Sequence, residues 1–245
     1  MRQFIAVFTL ATAVALPATH DPVKTLPDSY SLQFENDWIK IVRVRYGPFA
    51  KLPAHAHTPR ASAYVYLNDA GPVLFRHVGE KTFAATRPAT QAGSFRIFRG
   101  IEEIHEVENT SGIPSEFLRV EFKTDPKDVS TLRGRYFREP VAAGENLEKV
   151  QFENGQIRIT RLLCASGTSL RVVTPETEPA LLLELTASGR EHWIPAGRSE
   201  TLENGNSEHR ELLRFDFKTS PIRGADSRTG RWDAPGSGAP TDMKR

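Results

Sequence analysis

The sequence predicts an all-β protein, two tandem small β-barrels that follow a signal peptide. Three observations carry that prediction. Short segments alternate polar and apolar residues with the period of a strand. No stretch longer than about ten residues carries a helical stripe. Blocks of the first half recur in the second at fixed offsets, the mark of a duplicated unit.

The chain opens on Met1-Arg2, an apolar run from Phe4 to Leu16, then Pro17-Ala18 and the polar Thr19-His20-Asp21. This layout predicts an export signal over 1–18, cut near Ala18, and a periplasmic or secreted protein. The first barrel is expected over 22–135. IKIVRVRY (39–46), ASAYVYL (61–67) and FLRVEFK (117–123) supply its alternating segments. A charged linker is expected around Arg133 to Glu145, then a second barrel over 145–220 that includes IRITRLL (157–163). From Pro221 the chain is dense in Gly, Pro, Ser and charge, and a disordered tail is expected over 221–245.

The repeat ties the two barrels together. Residues 33–67 match 151–185 at an offset of 118, with QFEN in both. Residues 105–124 match 200–219 at an offset of 95 and end alike in Phe-Lys-Thr. The drop in offset means that the second copy is shorter by more than twenty residues, expected to be missing around Asp69 to Gln91.

Composition removes several function classes. Lys+Arg 32 against Asp+Glu 30 leaves a net charge of +2, and the basic residues are scattered rather than massed for nucleic acid. No apolar run is long enough to span a bilayer. Cys164 is the sole cysteine, which removes any intrachain disulfide or CxxC site. In an exported protein it reads as a packed small hydrophobe.

Histidine carries the chemistry. His55 and His57 stand at i and i+2, which puts both imidazoles on one face of a strand. His105 follows the turn RIFRG (96–100), with Asn109 four residues on. The order Gly, HxH, then Gly, HxxxN resembles the two motifs of the cupin superfamily, and the repeat makes the chain resemble a bicupin. The resemblance implies barrels of the cupin, or jelly-roll, type. It also implies a metal site to which His55, His57 and His105 carry over. It is incomplete: Ala61 or Ser62 stands where the family has a glutamate, and Phe98 where it has a proline. In the second copy the HxH position falls on Val173-Thr174-Pro175 and the later histidine on Glu200, so no metal site is expected there.

The expected cofactor is one divalent transition metal, Fe, Zn, Ni or Cu, which neutral imidazoles suit. Ala61 is expected to share the face of the histidines and leave an open side for water or substrate. Tyr64 and Tyr66, opposite in parity, are expected on an outer or inter-barrel surface, and Glu106 on the face away from His105. Arg60 and Arg96 read either as holders of an anionic substrate or as surface arginines. Ser62 has no triad partners in the sequence.

Two functions stay open. One is a metal-dependent enzyme acting on a small organic substrate, of oxygenase or isomerase type. The other is a metal-free barrel pair that binds a small ligand or serves structurally. The expected partner is a small molecule. Nucleic acid is excluded, as is membrane after signal cleavage, and a homodimer is left open.

Overall fold

The computed structural model describes residues 21–79, 82–138 and 144–222; the expected signal peptide and all but the first two residues of the expected tail lie outside them. Helix is confined, among these residues, to the four-residue α1 (Pro22–Thr25) and a 3-10 turn at Val129–Thr131. The rest is strand and connection, as the period-two patterning predicts.

The first barrel uses ten strands. These are β1 (Tyr30–Glu35), β2 (Ile39–Tyr46), β3 (Lys51–His57), β4 (Ser62–Tyr66), β5 (Val73–Val78), β6 (Phe83–Arg87), β7 (Phe95–Phe98), β8 (Glu103–Asn109), β9 (Ser115–Phe122) and β10 (Arg133–Tyr136). They form a six-stranded sheet in the order β1-β2-β9-β4-β7-β10 and a four-stranded sheet in the order β3-β8-β5-β6. Every pairing is antiparallel, and the two sheets close over a core that includes Val42, Val44, Leu52, Tyr64, Tyr66, Val107 and Phe117. The linker expected from Arg133 starts later than the sequence suggests. Arg133–Tyr136 is β10, paired with β7 on the edge of the first sheet.

The second barrel uses β11 (Leu147–Glu153), β12 (Ile157–Cys164), β13 (Ser169–Val173), β14 (Ala180–Glu184), β15 (Glu191–Ile194), β16 (Ser199–Glu203) and β17 (Arg210–Phe217). Its large sheet runs β11-β12-β17-β14-β15, facing the pair β13-β16. Leu162, Val172, Leu182, Ile194, Leu202 and Leu212 fill it. Local details coincide between the barrels. The bulge between Leu32 and Phe34 has its counterpart between Val150 and Phe152. Asn36 accepts from the amides of Trp38 and Ile39, as Asn154 does from Gln156 and Ile157. Among the described residues the second barrel has no counterpart of the β5–β6 hairpin or of the edge strand β10.

The large sheets are largely buried on both faces, and their apolar outer faces pack on each other. Ile39, Ile41, Ala63, Val65, Leu118, Val120 and Phe122 meet Ile157, Ile159, Leu181, Leu183, Leu213, Phe215 and Phe217 in one buried cluster. Two arginines cross this interface in opposite senses. Arg43 of β2 binds Glu116 beside it and donates to the carbonyls of Ala187 and Ser188 in the second barrel. Arg161 of β12 binds Glu211 and donates at 2.8 Å to the carbonyl of Gly93 in the first. The chain also closes across the same boundary, where Pro221 bridges Thr124 and Ile222 N–H donates to Lys123.

The two arginines differ in burial, and stability should follow. Arg161 is fully buried, so Arg161→Ala strips a buried carboxylate of one partner and should cost about 3 kcal/mol. The Arg43 side chain keeps 27% of its surface exposed, and Arg43→Ala should cost about 1 kcal/mol. Denaturant melts of both variants check the order; equal losses would contradict it.

Candidate functional site

The four-stranded sheet positions the histidines. β3 pairs with β8 in a register that slips between Leu52 and His55: Leu52 faces Val107, and His55 faces His105. Pro53 and Ala54 are the bulged residues, and Pro53 has no amide to give to a ladder. The extra residue turns Leu52 and His55 to the same, inner face, and His57 follows by period two. His105 then sits in a row across three strands, opposite His55 on β3 and His77 on β5.

The structure brings His55, His57 and His105 together. Their ring centroids are 4.9, 4.9 and 5.0 Å apart, and one nitrogen from each lies within 4.8 Å of the others. Nδ1–H of His55 donates to the carbonyl of Pro53 at 2.9 Å, which leaves Nε2 as the lone-pair nitrogen. The Tyr30 hydroxyl donates to that Nε2 at 2.7 Å, and the Tyr46 hydroxyl stands 2.9 Å behind it. Burial pushes both phenols up, Tyr46 to about 12, so both keep their protons. Burial lowers the pKa of His55 to about 4 and holds His57 well below its ordinary value, with Arg119 adding to the effect on His57. At neutral pH both rings are therefore uncharged, as metal ligation requires. Among the described residues neither nitrogen of the buried His105 makes a hydrogen bond. An orphaned buried imidazole among neutral ones fits a transition metal ion, and a carbonyl fixing the far nitrogen of His55 fits it too.

A second group shares His105. Glu103 lies two residues before it on the same face, opposite His57, with its carboxylate 3.8 Å from His105 Nδ1 and 3.6 Å from His77 Nδ1. Burial raises the Glu103 pKa, but His105, Arg119 and His77 outweigh that and hold it below the ordinary carboxylate value. His77, Glu103 and His105 could also hold an ion. Glu103 was legible as the residue at i−2 from His105. His77 belongs to the hairpin without a counterpart in the second barrel, so the repeat could not point to it.

Three placements differ from the parity expected of the sequence. Ala61 packs in the inter-barrel core and opens nothing at the histidines. Tyr64 and Tyr66 face the barrel interior instead of an outer surface. The cause is shared: residues 58–61 carry the chain from one sheet to the other, and parity does not survive the crossing. In the second barrel β13 pairs with β16 without a bulge, so Val172, not Val173, lies opposite Glu200 and answers to His55. Glu106 is exposed as expected, and Ser62 donates to the carbonyl of Arg60. Asn109 serves the fold: its side-chain amide holds the carbonyls of Gly47 and Ile113, as Asn204 holds those of Cys164 and Glu208. Cys164 is buried.

His57, His77 and His105 line one end of a cavity of about 370 Å³ inside the first barrel. Tyr64, Tyr66, Phe75, Phe98 and Phe117 line it, together with Arg87, Arg96 and Arg119. Arg60 does not line it. Phe83, half exposed, stacks on His77 at 4.2 Å beside the opening. Arg119 donates to the carbonyl of Thr58 at 3.1 Å and pairs with Glu121 at 3.2 Å, bracing the crossing loop.

No family model matches the chain, and no curated protein matches it. Among solved structures it is similar to oxalate decarboxylase from Bacillus subtilis, with a TM-score of 0.47 and 15% identity over 80% of this chain and 70% of that one. It is similar to YhaK from Escherichia coli, at 0.47 and 12% over 79% and 92%. Salicylate 1,2-dioxygenase from Pseudoaminobacter salicylatoxidans gives 0.43 and 11% over 74% and 70%. The first unit of this chain is itself a double-sheet antiparallel β-barrel, six strands against four, closed over inward-facing histidines.

Proposed function

We propose that the first barrel binds one divalent transition metal, Fe, Zn, Ni or Cu, through His55, His57 and His105. The metal would serve as a Lewis acid or redox centre for an oxygenase- or isomerase-type reaction on a small organic molecule held in the cavity. The observation that carries this reading is the convergence of three inward imidazoles, with neither nitrogen of buried His105 hydrogen-bonded among the described residues. The cavity supplies a largely apolar chamber beside them, the setting in which metal-centred chemistry is shielded from bulk water.

Elemental analysis of protein purified without chelators should find about one transition metal per chain. His57→Ala should weaken that binding at least about tenfold and leave the circular dichroism spectrum unchanged. Undiminished metal content in the variant would remove the proposal.

One observation favours the other reading, a metal-free ligand-binding barrel. The Tyr30 hydroxyl already occupies Nε2 of His55. The two readings part at Tyr30→Phe. If metal binds, the variant frees a lone pair and should tighten metal affinity in a competition titration. If the hydroxyl is the partner that Nε2 of His55 keeps, the variant should lose about 1–3 kcal/mol of stability whatever metal is supplied.

The reading includes export, which the Phe4–Leu16 run and Pro17-Ala18 support. Intact-mass measurement on protein expressed with its own N-terminus in a bacterial host should find the chain starting at Thr19 and outside the cytoplasm. An uncleaved cytoplasmic chain would overturn that part.

A further inference from the structure

The cavity has two chemically distinct ends. β5 and β6 pair so that His77 faces Phe83 and Val73 faces Arg87. Arg87 therefore sits four residues along the hairpin from the histidine row, about 13 Å at strand rise. Its side chain lies over the rings of Tyr66 at 5.2 Å and Phe117 at 5.5 Å. Arg96, on β7 opposite Tyr64, lies 4.2 Å over that ring.

These guanidiniums lack counter-charges. Arg119 has Glu121, and Glu103, the one acidic residue lining the cavity, is committed to the histidine end. Arg87 is only 6% exposed, donates to the hydroxyl of Ser115 at 2.7 Å, and has a buried Nε with no partner. The Arg96 Nε is likewise buried and unpartnered. No carboxylate among the described residues pairs with either arginine. Burial pulls the Arg87 pKa below its ordinary value, yet an arginine stays charged at neutral pH. A buried unpaired cation is costly, and an anion brought by a ligand would relieve the cost.

We propose that Arg87 and Arg96 form a carboxylate-binding subsite, and that the cavity takes a small organic monocarboxylate whose flat apolar body lies against Tyr64, Tyr66 and Phe117. The guanidinium forks match the two oxygens of a carboxylate. The lining holds aromatic rings and no lysine, which suits a flat acid with a two-oxygen head, and phosphate is the control that tests this preference. About 370 Å³ suits a molecule of about one ring. This names the substrate class of the reading above and rests on that reading for the word substrate. Binding of the acid by itself does not need the metal.

Benzoate is the probe, titrated calorimetrically into the metal-loaded and the chelator-stripped full chain, with benzamide and inorganic phosphate as controls. Benzoate should bind at least about tenfold more tightly than either control, with affinities in loaded and stripped protein within about threefold of each other. R87Q and R96Q should each weaken benzoate at least about tenfold. Circular dichroism checks that R87Q folds, and R96Q, at a half-buried position, tests the subsite if it does not. Benzamide or phosphate matching benzoate, or both folded variants binding benzoate like the parent chain, would overturn the subsite. Because stripped protein is assayed alongside, a failed metal site and a failed anion site give different results.

Discussion

The interaction on which the rest depends is the packing of the two large sheets, outer face against outer face. β4 is buried along its whole length because Ala63 and Val65 meet the second barrel while Ser62, Tyr64 and Tyr66 meet the interior of the first. Such a strand cannot be left half in water without exposing a broad apolar surface. The second barrel therefore acts as the missing layer of the first. It also frees the inner face of the six-stranded sheet from having to be wholly apolar. That face can carry arginines and tyrosines because the outer face supplies the hydrophobic burial.

Inside the first barrel, charge is distributed by address. Arg119 and Glu121 neutralise each other where the chain crosses between sheets, and Thr58 donates to Glu121 at 2.9 Å to complete the brace. Burial keeps His55 and His57 next to them uncharged, which lets these two imidazoles pack closely beside His105. The hairpin β5–β6 brings His77 to one end and Arg87 to the other. The second barrel, without such a hairpin, fills its interior with leucine, isoleucine and valine.

Much of this was legible in the sequence. Period-two alternation finds the strands, and the offsets of 118 and 95 pair β2 with β12, β4 with β14 and β9 with β17 residue for residue. The HxH spacing places His55 and His57 on one face. Parity failed wherever the chain left the regular pleat. It misplaced Ala61, Tyr64 and Tyr66 across the sheet-to-sheet crossing, and it set Val173 where Val172 belongs because β3 is bulged and β13 is not. Arg87 was invisible for another reason. Its burial depends on Ser115, Tyr66 and Phe117, which are brought to it by long-range pairing and leave no local trace.

The bulge at Pro53 and Ala54 does more than aim a side chain. At the bulge the carbonyl of Pro53 meets the ring of its own near neighbour and decides which nitrogen of His55 keeps the proton. The irregularity and the chemistry are thus one inheritance. Grafting histidines onto Val172, Thr174 and Glu200 of the second barrel would reproduce the residue pattern without this device. Its β13–β16 ladder runs without a slip in register, so no carbonyl is bent back toward a ring at position 172 and nothing equivalent would set its tautomer. A motif can be copied letter by letter; the defect in the pleat that makes it work has to be copied as well.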